Sequence, residues 1–171
     1  MVKILGVDPG IDSTGFACID VGRNFHMSQI KQAVALISCG TISPDPKNAI
    51  EEKFKNIHSN FKKLLVDLKP DVVVVEDIYS NSLHPKSGLK MANVKGVLEL
   101  AVTQEEIKLA NLTATRIKKA LVGRGNASKE QVKVVIENIF DMGSCSNLHE
   151  SDALAVALAY LFINASKVYA Q

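Results

Sequence analysis

Four consecutive valines, Val72 to Val75, restrict the fold of this 171-residue chain more than any other feature, because both alternating faces of the run are apolar. A β-branched run of this kind is typical of a strand that helices cover on both faces of a sheet. The preceding segment predicts one such helix, since apolar residues recur there at helical spacing until Pro70. These residues are Phe54, Ile57, Phe61, Leu64, Leu65 and Leu68. The expected architecture is therefore α/β, with a partly parallel sheet.

Four further strands and four further helices are predicted from the rest of the chain. The strands are Val2–Val7, Gly15–Val21 and Ala33–Ile42, which form two adjacent hairpins, and Ile107–Leu112. The helices are about Ser87–Gln104, Ala114–Val122, Ser128–Phe140 and Asn147 to about Asn164. With no repeat or linker in the sequence, we expect one domain spanning residues 1–171, with a five-stranded mixed sheet flanked by helices.

Two helix starts are indicated by capping residues. Asp45 is predicted to cap the helix before the valine strand, with Pro46 at its first helical position. Ser128 and Gln131 have the spacing of a capping box at the start of a later helix.

Composition excludes several classes of protein. A hydrophobic fraction of 47% and a net charge of +2 do not suit a disordered chain. Cys18, Cys39 and Cys145 form no CxxC pair, which argues against a disulfide framework or a structural zinc site and favours a reducing compartment. The longest apolar run, Ala153–Ile163, is too short for a membrane span of roughly 20 residues. We therefore expect a soluble, cytoplasmic protein without a targeting segment.

Three carboxylates are candidates for one functional site. Asp8 follows the first strand, Glu76 follows the valine strand, and Asp152 lies on the same helical face as Leu148 and several alanines. His149 precedes Asp152 by three residues and lies on a neighbouring row. Each residue taken singly has an ordinary interpretation, such as a turn, a solvated strand end or a helix-capping residue. Together, at the ends of neighbouring strands and on a facing helix, they predict a divalent-metal site.

The types of ligand indicate the chemistry. An all-oxygen acidic cluster suits Mg²⁺ or Mn²⁺, which bind through a few carboxylates together with a substrate phosphate. Two such ions roughly 4 Å apart activate water and stabilise the leaving oxygen in phosphodiester hydrolysis. Metal and substrate are expected to bind together, because the carboxylates alone would repel the phosphate.

Basic residues concentrate in one region. Residues 116–133 have a net charge of +5, and residues 84–95 have +3, so the remainder of the chain is acidic. The basic residues of the first region are Arg116, Lys118, Lys119, Arg124, Lys129 and Lys133. A solvated helix face is the ordinary explanation, but the run includes the glycine-containing segment Val122–Asn126, which can approach a backbone closely. Phosphate binding is therefore favoured.

Five segments, in this order, resemble the RuvC family of bacterial Holliday-junction resolvases. They are Ile4-Leu5-Gly6-Val7-Asp8-Pro9-Gly10, Val75-Glu76-Asp77-Ile78-Tyr79, Arg116-Ile117-Lys118-Lys119, Val122-Gly123-Arg124-Gly125 and Ser151-Asp152-Ala153-Leu154-Ala155. The resemblance implies a ribonuclease-H-like fold and a homodimer that makes paired Mg²⁺-dependent nicks in a four-way DNA junction during recombination and repair. It also implies branch-migration helicase proteins as partners.

The resemblance assigns roles to individual residues. Asp8, Glu76 and Asp152 match the family's catalytic carboxylates, and Tyr79 matches an aromatic residue that stacks on bases at the junction centre. Lys118 and Lys129 match basic positions near the scissile phosphate, and the helix from Ser87 would supply the dimer contact.

His149 departs from the pattern, because many members of the family have Asp there. Hard Mg²⁺ prefers oxygen ligands, so we expect either greater activity with Mn²⁺ or a role for His149 as proton shuttle or general base.

Other functional classes remain open at this point. Sugar kinases and related ATPases share the fold but need a second, duplicated domain, for which 171 residues are too few. A non-catalytic junction-binding module would not need the three carboxylates together. Another ribonuclease-H-like nuclease is the third alternative.

Overall fold

The computed structural model of the chain describes residues 1–22, 26–77, 85–140 and 148–168. Its strands are β1 (Val2–Asp8), β2 (Thr14–Val21), β3 (Val34–Ile42), β4 (Val72–Asp77) and β5 (Lys108–Thr113). Its helices are α1 (Ile30–Ala33), which follows a 3₁₀ turn, α2 (Ile50–Leu68), α3 (Pro85–Gln104), α4 (Ala114–Val122), α5 (Lys129–Ile139) and α6 (Leu148–Val168). The predicted elements are therefore present, with bounds that differ by a few residues. Tyr79 and Cys145 lie outside the described residues.

The five strands form one mixed sheet in the order β3-β2-β1-β4-β5. β1, β2 and β3 pair antiparallel as the two predicted hairpins. β4 lies parallel to both β1 and β5, after the helical crossovers that parallel pairing requires. The predicted five-stranded mixed sheet flanked by helices is confirmed.

The valine strand contributes to two separate cores. Val72 and Val74 pack on the side of α4, α5 and α6. Val73 and Val75 pack on the opposite side, against α2 and α3. Because successive side chains of a strand point to opposite faces, a strand covered on both sides has no position for a polar residue until it ends. Glu76 and Asp77, the last two residues of β4, are only partly buried.

α6 lies across β1 and β2 and is the central helix of the core that contains Val72 and Val74. Every residue from Ala153 to Leu161 is buried, as expected for an apolar run too short for a membrane span. Within the described residues, no helix is long and apolar enough to cross a membrane.

The predicted start of α2 at Asp45 and Pro46 is wrong. The Asp45 carboxylate accepts a hydrogen bond from the Lys47 backbone N–H at 2.8 Å, and its carbonyl accepts one from the Asn48 N–H at 3.0 Å. These local bonds close a turn, which competes with helix formation, and α2 begins only at Ile50. The capping box of α5 is confirmed by reciprocal bonds between Ser128 and Gln131.

Candidate active site

Asp8 and Glu76 lie side by side at one edge of the sheet. In the parallel pairing of β1 with β4, Val7 is opposite Val75, so the next residue on each strand is a carboxylate. Glu76 follows the alternation of Val72 and Val74 and therefore points to the side of α4, α5 and α6. Two acids at neighbouring strand ends are thus the direct result of the register.

The first turn of α6 brings His149 to Asp8. The Nδ1 atom of His149 lies 2.9 Å from Oδ2 of Asp8, whose side chain is only 16% exposed. Gly15 lies opposite Asp8 in the β1–β2 pairing, and a Cβ atom there would overlap the His149 carbonyl group. Glycine at this position allows the helix to approach the strand closely enough for the hydrogen bond. Leu148, which shares a helical face with Asp152, is 60% exposed, and the continuous buried part of α6 begins at Ala153.

Asp152 and Glu76 line one pocket of about 150 Å³ together with two lysines, Lys118 and Lys129. The remaining wall is apolar and consists of Ala114, Ile117, Val132 and Ala155. The pocket therefore combines acids that suit a cation with bases that suit a phosphate.

Burial and mutual repulsion alter the acidity of the two strand-end carboxyl groups. Burial, followed by the negative charges of Asp8 and Asp152, raises the pKa of Glu76 to about 7. Burial also raises the pKa of Asp8, against the hydrogen bond from His149, which lowers it. Asp152 raises the pKa of both groups by repulsion, so the three carboxylates act on one another electrostatically. A cation that binds here would reduce the repulsion among the carboxylates, so its binding is favourable.

Lys129 is bound to Asp152. Its Nζ atom lies 2.7 Å from Oδ2 of Asp152, with side-chain exposures of 63% for the lysine and 26% for the aspartate. The hydrogen bond to Asp152 is the main cause that raises the pKa of Lys129 above its ordinary value. One of the predicted phosphate-binding residues thus serves as the counter-ion of one of the predicted metal ligands.

The donor set fits a hard divalent cation, since it offers three carboxylates that repel one another. Within the described ranges, no three His, Cys, Asp or Glu side chains are already gathered closely enough to hold an ion. Asp8 is bound to His149 and Asp152 to Lys129 instead.

The predicted site residues fall into three groups. Asp8 is paired with His149, next to Glu76 at the strand ends, and Glu76 and Asp152 line one pocket with Lys118 and Lys129. Arg116, Lys119 and Arg124 are exposed on α4 or just beyond it. Gly123 has a φ of 88° and ends α4, with its N–H donating to the Lys119 carbonyl, so it has a structural role of its own. Tyr79 lies outside the described residues.

Lys95 was counted among the basic residues of segment 84–95 but is engaged within the protein. Its side chain is 19% exposed and is paired with Asp77 at 2.9 Å and with Glu99 at 3.3 Å. The Lys95–Glu99 spacing of four residues was a sequence signal for this pairing. The bond to Asp77 joins residues that are 18 positions apart, and no local pattern indicated it.

Comparisons with known proteins agree on one family. The family model described as Crossover junction endodeoxyribonuclease RuvC matches residues 4–160. The chain is 33% identical to the crossover junction endodeoxyribonuclease RuvC of Ehrlichia ruminantium (strain Gardel), over 94% of this chain and 97% of that protein. It is also 33% identical to that of Wolbachia pipientis wMel, over 97% and 98%. A solved structure of Thermus thermophilus RuvC superposes with a TM-score of 0.84 at 23% identity, covering 96% of both chains, which shows the ribonuclease-H-like fold. The same protein in complex with a Holliday junction gives 0.82 at 24% identity, over 95% of this chain and 94% of that one.

Proposed function

This chain belongs to the RuvC family of crossover junction endodeoxyribonucleases, and we propose on that premise that it resolves four-way (Holliday) DNA junctions by metal-dependent hydrolysis of phosphodiester bonds. The observation that carries the proposal is the pocket in which Glu76 and Asp152 meet Lys118 and Lys129, with Asp8 adjacent. Carboxylates for metal and lysines for phosphate in one pocket are the requirements of metal-assisted phosphodiester hydrolysis.

Each residue of the site has a proposed role. Asp8, Glu76 and Asp152 would hold Mg²⁺, or Mn²⁺, as two ions per site, which supply an activated water and stabilise the leaving oxygen. Lys118 and Lys129 bind the scissile phosphate. His149 contacts Asp8 through Nδ1 and is proposed to act as a metal ligand or a proton carrier.

The wider DNA contact is proposed to follow the exposed basic residues of α4 and of the segment just after it. Arg116, Lys119 and Arg124 extend the positive surface beyond the pocket and would bind flanking phosphates. Tyr79 is proposed to stack on bases at the junction centre. A homodimer would present two equivalent sites to the near-symmetric junction, which accounts for paired nicks. We also propose that branch-migration helicase proteins are partners of this protein and that it acts in the cytoplasm.

Nicking of a synthetic four-way junction tests the function directly. With Mg²⁺ present, we expect two symmetric nicks in opposed strands of the junction, and at least about a hundredfold slower cleavage of a linear duplex with the same sequence. Labelled strands separated on a denaturing gel measure both rates. Tight binding without nicks in either metal would instead support a non-catalytic junction-binding module, and equal cleavage of duplex and junction would support a different nuclease.

His149 is predicted to determine which metal supports activity. In wild type, we expect Mn²⁺ to support faster nicking than Mg²⁺, because imidazole nitrogen is a better ligand for the softer ion. His149→Asp should reverse or remove this preference, whereas His149→Ala should reduce the rate about tenfold or more in both metals. Single-turnover nicking of the three proteins in the two metals measures this. Identical rates in all six conditions would exclude His149 from the site.

A further inference from the structure

β4 ends in two successive acids that face opposite sides of the sheet. Glu76 points into the pocket formed with α4, α5 and α6. Asp77 points to the other side, where Lys95 of α3 lies. Asp77 thus places a second negative charge one residue from the proposed catalytic centre, at the edge of the sheet that DNA has to approach. It has no place in the chemistry proposed for Glu76.

Lys95 holds this second acid from the opposite helix. Its Nζ atom lies 2.9 Å from Oδ1 of Asp77 and 3.3 Å from Oε1 of Glu99. The Asn111 side-chain amide of β5 donates to the same Glu99 oxygen at 3.0 Å. Asp77, Lys95, Glu99 and Asn111 therefore form one connected set of polar bonds that joins α3 to the end of β4 and to β5.

The charge of this set depends on one ammonium group. Among the described residues, Lys95 is the only basic side chain paired with Asp77 or with Glu99. Burial lowers the pKa of Lys95, but its bonds to the two acids raise it above the ordinary value, so the group stays protonated at neutral pH. Without Lys95, neither Asp77 of β4 nor Glu99 of α3 would have a basic partner among the described residues.

We infer that Lys95 is a positioning residue for junction binding, which holds the Asp77 carboxylate against α3 and neutralises it so that the DNA backbone can approach Glu76. The inference rests on the proposed function, because it supposes that phosphates reach this edge of the sheet. Like charges meeting at a binding surface weaken association, and the penalty falls as salt screens them. Lys95 acts through Asp77 and makes no contact with DNA itself.

A double-mutant cycle tests the inference. Lys95→Met keeps the length of the side chain and removes the charge, so we expect junction binding to weaken by about fivefold at low salt and by less at higher salt. Asp77→Asn should bind like wild type. The double variant Asp77→Asn with Lys95→Met should return to within about twofold of wild type, because the carboxylate next to Glu76 is gone and only Glu99 of α3 is left without Lys95. Lys95→Arg, which keeps the charge, should also bind like wild type.

Two further measurements separate this role from a merely structural one. Lys62→Met is the matched control, because Lys62 is paired with Glu105 at 3.0 Å near the start of β5, at the opposite end of the sheet from Glu76. It should leave junction affinity unchanged. Affinity is measured by fluorescence anisotropy of a labelled junction in EDTA at two salt concentrations, with thermal unfolding of each variant. The junction affinity and the Mg²⁺-dependent nicking of wild type are measured in parallel. These two measurements test the proposed function separately from the role of Lys95.

The outcomes are distinct. Weak binding of Lys95→Met together with recovery in the double variant supports the inference, and recovery also shows that methionine at position 95 permits folding. Equal affinity of Lys95→Met and wild type overturns it, as does a double variant that remains as weak as Lys95→Met. A wild-type protein that neither binds nor nicks the junction overturns the proposed function and the inference with it.

Discussion

Asp8→Asn is expected to reduce the rate of junction nicking by about a thousandfold or more while leaving junction affinity within about twofold of wild type. The side chain of Asp8 is almost buried and lies beside Glu76 at the strand ends. Asparagine has the same shape, so the β1–β2 hairpin and the approach of α6 should be preserved. The change removes one negative charge from a site whose proposed function is to hold divalent cations. Single-turnover nicking in Mg²⁺ and anisotropy in EDTA measure the two quantities.

The matched control for Asp8→Asn is Asp12→Asn, four residues further along the chain in the loop after β1. Asp12 is 75% exposed and is paired with Lys53 of α2 at 2.7 Å, away from the pocket. Its replacement should leave nicking within about threefold of wild type, because the exposed Asp12 carboxylate does not line the pocket. If Asp8→Asn kept a rate within tenfold of wild type, Asp8 would not be a metal ligand and the proposed mechanism would be wrong.

The sequence predicted the elements well where one physical pattern dominated. The valine run, the stripe of α2 and the apolar run of α6 each have a periodicity that matches their burial, so strand and helix assignments followed. The placement of Asp8 and Glu76 was also predictable, because both follow buried strands that end at one edge. The prediction for Asp45 was wrong because an aspartate side chain can stabilise either a helix N-terminus or a turn. In the structure its carboxylate accepts from the Lys47 N–H, which stabilises the turn.

The contacts within the site were less predictable. The Lys129–Asp152 pair joins residues 23 positions apart, and the His149–Asp8 pair joins residues 141 apart. Both depend on how α5 and α6 pack against the sheet, which no local pattern determines. The need for glycine at position 15 was not predictable either, because it arises from the close approach of the α6 backbone. The sequence thus indicated which residue types the site contains, whereas tertiary packing determined their partners.

Glu76→Gln is expected to abolish nicking and, in the absence of metal, to stabilise the protein at pH 8. Burial and the charges of Asp8 and Asp152 raise the pKa of Glu76 from the ordinary 4.5 to about 7. The folded state therefore favours the neutral carboxyl group. That preference contributes stability below about pH 4.5, and the contribution is lost as the pH rises to about 7. Glutamine is neutral at every pH, so the variant should keep this contribution at pH 8 and melt about 3 °C or more above wild type.

Thermal unfolding in EDTA between pH 5 and pH 8 measures this effect, with Glu130→Gln as the control of opposite sign. The hydrogen bond from Ser128 lowers the pKa of Glu130, so its charged form favours the folded state and its replacement should not stabilise the protein at pH 8. Equal melting temperatures of Glu76→Gln and wild type at pH 8 would show that the charged Glu76 carboxylate does not destabilise the folded protein.

The same ionisation should link metal binding to pH. Below about pH 7, a cation that binds Glu76 must displace a proton, so the apparent affinity of wild type for Mg²⁺ should rise by up to tenfold per pH unit and level off above pH 7. Titrating Mg²⁺ while following the melting temperature measures this without relying on nicking. Glu76→Gln should lose most of both the stabilisation by Mg²⁺ and its pH dependence. An unfavourable concentration of carboxylates in the free protein would then be the source of its affinity for the metal.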